Sequence, residues 1–99
     1  MSIYENLIKL NIQIPKPPDP VGSYVAYKKT SNLLFISGQI SIDANGNITK
    51  GKLGKELSID QGQAAAKLCA INIIAQAKKA CNEKLETIKN CIKLTGYVN

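Results

Sequence analysis

The sequence contains no arginine, no histidine and no tryptophan among its 99 residues. Without histidine there is no ordinary Ser/His/Asp triad, and the cysteines lack their usual activating base. A zinc site is not expected either, because the three cysteines show no C-x-x-C spacing. Acid–base chemistry would therefore fall to carboxylates, lysine, tyrosine or bound water, and we expect neither a metal nor a cofactor.

All thirteen basic residues are lysine, and the seven acidic residues leave a net charge of +6. Lysine attracts polyanions diffusely, whereas arginine grips phosphates and carboxylates with two parallel hydrogen bonds. Two interpretations stay open: compositional drift with a gain in solubility, and a functional basic face. Because arginine is absent and aromatic residues make up only 5% of the chain, we do not expect nucleic acid as a partner.

The length allows one domain, residues 1–99, with an N-terminal helix and proline-rich lead over 1–20 and a core over 21–99. A chain this short buries only about two-thirds of its unfolded surface, so an oligomer would stabilise it. The sequence has no signal peptide and no apolar run long enough to cross a membrane. The three cysteines, Cys69, Cys81 and Cys91, cannot all be paired within one chain, which suits a reducing compartment. These features predict a cytoplasmic protein without a membrane partner.

The first twenty residues predict a short helix followed by an extended connector. Ser2 and Glu5 have the S-x-x-E spacing that begins a helix, and Asn11 suits its end. Four prolines over 15–20 then force an extended chain. A spacer is favoured over an SH3 ligand, since spacers are the commoner use of such segments.

Two strands and a third, shorter one are predicted next. Residues 23–29 and 33–42 are rich in β-branched and aromatic residues and are separated by a turn at 30–32. Gly38 lies inside the second strand, where glycine marks a bulge or a close backbone approach. A turn at 43–47 leads to a short strand at 48–50.

A long helix and a final strand complete the predicted α+β order. Ser58 and Gln61 form a second capping box before apolar positions at helical spacing, with Asn72 as a polar exception. The two apolar rows predict a helix buried on much of its surface against a sheet. From residue 88 to 98 the apolar period changes to two, which predicts a strand reached by a βαβ crossover.

One phosphate-binding pattern is misleading. Gly46, Gly51 and Lys52 fit G-x-x-x-x-G-K, but Leu53 stands where magnesium binding needs serine or threonine. A nucleotide site is therefore not expected. The lysines around this glycine loop favour a solvated loop over an anion site; they are Lys50, Lys52 and Lys55.

Two segments carry a more specific pattern. The first is V-G-S-Y-V-A over 21–26, followed by N-L-L-F-I-S-G-Q-I over 32–40. The second runs from G-Q-A-A at 62–65 through L-C-A-I-N at 68–72 to I-K-L-T-G-Y-V-N at 92–99. Together they resemble the Rid/YjgF family, the RidA-like reactive-intermediate deaminases also called endoribonuclease L-PSP, in its longer subgroup with an N-terminal helix.

The resemblance implies a chorismate-mutase-like α+β fold of two β-α halves. It also implies a homotrimer with active sites between subunits, and no cofactor. Water attacks an imine carbon there, giving a keto acid and ammonia, while an arginine from the later strands holds the substrate carboxylate. The implied substrate-binding residues are Tyr24, Ser37, Gly38 and Gln39. A half-buried strand tyrosine remains an alternative for Tyr24, and a strand-end polar residue for Ser37; no catalytic residue is assigned.

The family's arginine and a later glutamate would lie beyond Asn99, as would its last strands, so the chain is expected to come from a shortened or split gene. The exposed end of the sheet would then need other subunits or the missing part to cover it. We expect RidA-like hydrolysis of reactive enamines and imines to keto acid and ammonia. Two outcomes stay open: the shortened chain retains this activity, or the activity is lost with the missing part. The alternatives are non-enzymatic binding of small carboxylates, a regulatory role, and RNA binding or cleavage.

Overall fold

In the computed structural model, which describes residues 2–20 and 22–99, the first helix α1 spans Ile3–Lys9. The Ser2 hydroxyl accepts a hydrogen bond from the backbone N–H of Glu5 at 3.1 Å, and Asn11 adopts a left-handed φ of 55° after the helix. The predicted start and end are therefore confirmed. Met1 and Val21, where the predicted lead and core begin, lie outside the described residues.

Two short strands form an antiparallel hairpin. β1 spans Tyr27–Thr30 and β2 spans Leu33–Ile36, with Tyr27 opposite Ile36 and Thr30 opposite Leu33. The predicted strands 23–29 and 33–42 are thus confirmed only in part. The chain leaves the ladder after Ser37, and further on the carbonyls of Ile40 and Ile42 accept hydrogen bonds from the side-chain amide of Asn72.

The turn at 43–47 is confirmed, but the third strand at 48–50 is reduced to one bridge between Ile42 and Ile48. The Asp43 carboxylate accepts hydrogen bonds from the backbone N–H groups of Asn45 and Asn47, both at 2.9 Å. These bonds hold a compact turn. Gly51 then takes a φ of 138°, which diverts the chain before a ladder can extend.

The second helix, α2, spans Ile59–Ala80 and begins with the predicted capping box. The Ser58 hydroxyl accepts from the Gln61 N–H at 3.2 Å, and Gln61 Oε1 accepts from the Ser58 N–H at 2.8 Å. Burial is confined to its C-terminal half, so the predicted burial over much of its surface is wrong for the single chain. A two-stranded hairpin about 10 Å wide cannot cover a helix about 33 Å long. The buried residues are Asn72, Ala75, Gln76, Ala77 and Ala80.

A small core joins both helices to the hairpin. Its buried members are Leu7 from α1, Ala77 from α2 and Leu85, which is 1% exposed. Leu85 begins a 3-10 helix over Leu85–Thr87 that follows α2. Half-buried apolar side chains surround these three, namely Ile3, Ile12, Ile14, Leu34, Ile36 and Ile74. The core therefore lies at the C-terminal end of α2, beside α1.

The predicted last strand, 88–98, is wrong for this structure, and with it the βαβ crossover. Within the described part of the chain no strand pairs with this segment, and Ile92 is 78% exposed. The alternating pattern predicts which side chains share a face, but a ladder also needs a neighbouring strand. At its end the Asn99 carbonyl accepts a hydrogen bond from the Leu53 N–H at 3.0 Å.

No helix in residues 2–20 and 22–99 combines the length and apolar character that a membrane crossing requires.

Candidate functional site

A cavity of about 80 Å³ lies where the proline-rich lead meets the segment after β2. Three of the four predicted ligand-binding residues, Tyr24, Gly38 and Gln39, line it. The rest of its wall includes Pro18, Asp19, Pro20, Ile40, Ile42 and Gln76. The fold thus brings together residues from the lead, both sides of the hairpin and α2.

Tyr24 lies in a bend three residues before β1 and is 46% exposed. The alternative that it is a half-buried tyrosine within a strand is therefore wrong. Gly22 lies close beside its ring, because a Cβ built at Gly22 would stand 3.2 Å from Tyr24 Cε1. A side chain at position 22 would therefore crowd the Tyr24 ring.

Ser37 lies outside the cavity wall. Its backbone N–H donates to the Ala26 carbonyl at 2.9 Å, and its hydroxyl donates to the Val25 carbonyl. Ser37 therefore ties the end of β2 to the segment that carries Tyr24. Direct contact between Ser37 and a ligand stays a prediction.

Gly38 and Gln39 follow β2 and contribute in different ways. Because β2 ends at Ile36, the expected bulge at Gly38 inside a strand is wrong, and a Cβ built there meets nothing within 4 Å. Gly38 contributes exposed backbone to the wall. The Gln39 amide Nε2 donates to the Ser37 carbonyl at 2.9 Å, which orients that side chain at the rim.

Two buried amides were not assigned to the site from the sequence. Asn72 and Gln76 are each 2% exposed on α2. Asn72 Nδ2 donates to the carbonyls of Ile40 at 3.1 Å and Ile42 at 2.9 Å, and Gln76 Nε2 donates to the Pro18 carbonyl at 2.9 Å. The sequence does contain a signal for these two residues: Asn72 is a polar residue within an apolar row, and Gln76 lies four residues later on the same face of the helix.

The charges near the cavity are mostly negative. Among the described residues, Asp19 is the only charged side chain in its wall. Lys16 lines a second cavity of about 320 Å³ on the other side of the lead, together with Asp19 and Asp43. Backbone hydrogen bonds, first from Asn47, hold the pKa of Asp43 below its usual value. The cavity beside Tyr24 therefore has no cation of its own in the described part of the chain.

The loop lysines lie elsewhere. Lys50, Lys52 and Lys55 are exposed and line neither cavity. The Lys52 backbone N–H donates to Glu56 Oε1 at 3.1 Å, so the loop is held by its own residues. This arrangement is that of a solvated loop.

The cysteines and acidic residues do not gather into a metal site. In the described ranges, no group of three or more ligating side chains is placed to hold an ion. Cys69, Cys81 and Cys91 are free thiols, and burial raises the pKa of Cys69, which keeps it protonated.

The cavity beside Tyr24 is too small to enclose a ligand. Small-molecule sites commonly hold about 300–1,000 Å³, several times the volume found here. The cavity beside Tyr24 is therefore shallow by itself, whereas the second cavity, at about 320 Å³, lies at the lower end of that range.

Comparison with known proteins gives a family and several relatives. A family model described as "YjgF/chorismate_mutase-like, putative endoribonuclease" matches residues 5–99. The Trypanosoma cruzi protein TCP17 is 35% identical over 94 residues, covering 95% of this chain and 58% of that protein.

Two solved structures share the fold. A Shewanella oneidensis protein with the same endoribonuclease description superposes with a TM-score of 0.76 at 30% identity, over 84% of this chain and 55% of that one. Atu1372 from Agrobacterium tumefaciens, of unknown function, gives a TM-score of 0.69 at 35% identity, over 83% and 49%.

These matches confirm the predicted α+β, chorismate-mutase-like fold. The chain belongs to the YjgF family. It spans between about half and three-fifths of the length of these relatives.

Proposed function

We propose that this protein binds small 2-imino and 2-keto acids in the cavity beside Tyr24 and hydrolyses reactive imines to keto acids and ammonia. The observation that supports this most is the convergence of Tyr24, Gly38 and Gln39 on one cavity. These residues come from two separate segments, and the family resemblance had marked them as substrate-binding before their positions were known. We treat residues 1–99 as one such domain, acting in the cytoplasm.

The reaction needs positioning more than strong acid–base groups. Water adds to the imine carbon and one of its protons passes to the nitrogen, which gives a carbinolamine. The remaining O–H proton then passes to the nitrogen as the C–N bond breaks, the C=O bond forms and ammonia leaves. The Tyr24 hydroxyl and the exposed backbone at Gly38 would orient the imino acid and stabilise the developing charge. No cofactor enters this scheme.

The carboxylate of the substrate needs a cation that this wall does not supply. The chain has no arginine, and Asp19 is the only charged side chain lining the cavity among the described residues. We therefore propose a homotrimer in which a neighbouring subunit closes the cleft and brings a lysine to the carboxylate. Lysine would act as a point charge, without the two-pronged geometry of arginine.

Release of keto acid from an imine generated by an amino-acid oxidase tests this function. We expect the protein to accelerate the release, and Tyr24→Phe to slow it about tenfold, the effect of one lost hydrogen bond to the reacting group. Tyr97→Phe is the matched control, because Tyr97 is 93% exposed and lies outside the cavity. Equal rates with and without folded protein would end the hydrolase proposal.

Non-enzymatic binding of a small carboxylate is the second candidate, because it needs only the cavity lined by Tyr24, Gly38 and Gln39 and no group that activates water. Its expected result is saturable binding of pyruvate without any acceleration of imine hydrolysis. The nuclease named in the family description is weaker for this chain, although the net charge of +6 would attract RNA. Binding to RNA that falls steeply with salt, together with cleavage, would favour that alternative.

A further inference from the structure

Two carboxamide side chains lie one helical turn apart on the buried face of α2. Asn72 and Gln76 are each 2% exposed, although polar residues are seldom so fully enclosed. Every buried side-chain nitrogen and oxygen in the described residues has a hydrogen-bond partner. Burial of a polar group is tolerated only with such partners, so the three hydrogen bonds of these two amides specify where the neighbouring segments lie.

The two amides hold opposite walls of the cavity beside Tyr24. Asn72 Nδ2 binds the carbonyls of Ile40 at 3.1 Å and Ile42 at 2.9 Å, in the segment that continues from Gly38 and Gln39. Gln76 Nε2 binds the Pro18 carbonyl at 2.9 Å, in the lead that forms the other wall. Gln76 also lines the cavity itself.

No strand ladder joins the two walls to each other, and the segment 38–42 has only the single bridge between Ile42 and Ile48. β2 ends at Ile36, and residues 12–20 of the lead have no regular secondary structure. Proline has no backbone N–H, so Pro15, Pro17, Pro18 and Pro20 cannot donate to a ladder in any case. Side chains of α2, a helix of 22 residues, therefore bond both walls and connect one to the other.

We infer that Asn72 and Gln76 act as an amide clamp that sets the width of the ligand cavity and so selects short ligands. They are positioning residues: the clamp fixes the gap between the lead and the segment 38–42, and the ligand meets that gap. The inference rests on the proposed function for the identity of the ligand, but not for the existence of the clamp.

A narrow gap predicts a preference by size. We expect a short 2-keto acid such as pyruvate to need less room beside Tyr24 than phenylpyruvate, whose ring would have to displace the lead from a cavity of about 80 Å³. Loss of the Gln76 bond should weaken pyruvate binding about tenfold, the usual effect of one buried hydrogen bond. Phenylpyruvate should lose less, so the affinity ratio between the two acids should shrink.

The unaltered protein gives the first test. Side-chain amide protons of Asn72 and Gln76 should exchange with solvent at least tenfold more slowly in NMR than those of Gln63, an exposed glutamine on the same helix. Exchange as fast as that of Gln63 would overturn the clamp. This measurement needs no ligand and no variant that folds poorly.

Isosteric variants give the second test. Gln76→Met and Asn72→Leu keep most of the shape and remove the donors, while Gln63→Met and Asn90→Leu are the matched exposed controls. We expect faster backbone hydrogen exchange in residues 13–19 for Gln76→Met and in residues 39–42 for Asn72→Leu, with the controls unchanged. Unchanged exchange in both segments would contradict the clamp.

The affinity ratio separates the two proposals. If neither keto acid binds the unaltered protein, the proposed function fails, while the exchange measurements still decide the clamp. If both acids bind and Gln76→Met weakens them equally, the clamp does not select by size, and the inference is wrong on that point.

Discussion

Tyr4 connects residues about eighty positions apart in the chain. Its hydroxyl donates to Glu86 Oε1 at 2.7 Å and accepts from the Leu85 backbone N–H at 3.1 Å. The hydrogen bond to the Glu86 carboxylate raises the pKa of Tyr4, and the same bond lowers the pKa of Glu86. This pair therefore fastens α1 to the 3-10 helix that carries the core residue Leu85.

The Tyr4–Glu86 bond predicts a stability difference confined to a pH window. The depressed pKa of Glu86 contributes stability above about pH 4.3, lost as pH falls through its folded pKa. The raised pKa of Tyr4 contributes stability below about pH 10, lost as pH rises through its folded pKa. Tyr4→Phe should therefore lower the unfolding free energy between these limits, and the difference should shrink at both ends.

Urea unfolding of Tyr4→Phe and the unaltered protein across this range measures the effect. Tyr97→Phe serves as the control, since its ring is 93% exposed. A difference that stays constant from acid to alkaline pH would show that the Tyr4 hydroxyl acts only by packing.

At the scale of elements, the loop before α2 is packed tightly on the first turns of the helix. Leu53 lies against Gly62, and a Cβ built at Gly62 would overlap Leu53 Cδ2. The loop is closed by the Gly54 N–H, which donates to the Leu57 carbonyl at 2.8 Å. Glycine in a helix is unfavourable by about 1 kcal/mol relative to alanine, so close packing is the reason it is used here.

That packing predicts that Gly62→Ala changes the free energy of unfolding in opposite directions when Leu53 is present and when it is replaced by alanine. Gly62→Ala alone should destabilise the protein by about 1 kcal/mol, because overpacking outweighs the gain in helix propensity. In a Leu53→Ala background the same change should stabilise by about 0.5–1 kcal/mol, since the obstacle is gone. Chemical denaturation of the four proteins of this double-mutant cycle measures both values; equal effects in both backgrounds would contradict the contact.

At the scale of the whole molecule, little apolar surface is enclosed. The buried apolar residues are Leu7, Ala75, Ala77, Ala80 and Leu85. The radius of gyration, 14.2 Å, exceeds the ~12.6 Å expected for a compact domain of this length. On β2, Leu34 and Ile36 face inward, while Leu33 and Phe35 point outward, and Phe35 is 59% exposed. Such a surface is typical of a subunit that is covered in an assembly.

If the proposed homotrimer forms through the outward face of β2, a polar residue in place of Phe35 should weaken its assembly. We expect sedimentation equilibrium to give a trimer for the unaltered protein and a shift toward monomer for Phe35→Ser. Ile8→Ser is the control, because Ile8 is 80% exposed on α1, away from the sheet. A monomeric unaltered protein, or equal masses for all three, would contradict an assembly through this face.

Local interactions were predictable from the sequence by itself. Both helices begin where Ser2 and Ser58 can cap them, and the turn at 43–47 forms because Asp43 bonds its own backbone. Each of these features depends on residues within a few positions of one another. The family resemblance rested on such short segments too. Three of the four residues that it implies, Tyr24, Gly38 and Gln39, line one cavity, and their contact with a ligand stays a prediction.

Long-range partners were decided only by the tertiary structure. The alternation over 88–98 predicted a strand with one buried face, but the segment is exposed throughout and no strand pairs with it in the described part of the chain. A pattern along one segment cannot supply the neighbouring strand that a ladder needs. Likewise, Asn72 looked like an interruption of an apolar row, yet it bonds two carbonyls about thirty residues away. Hydrogen-bonding capacity is a property of a residue, whereas its partner is set by which segments the fold brings within 3 Å.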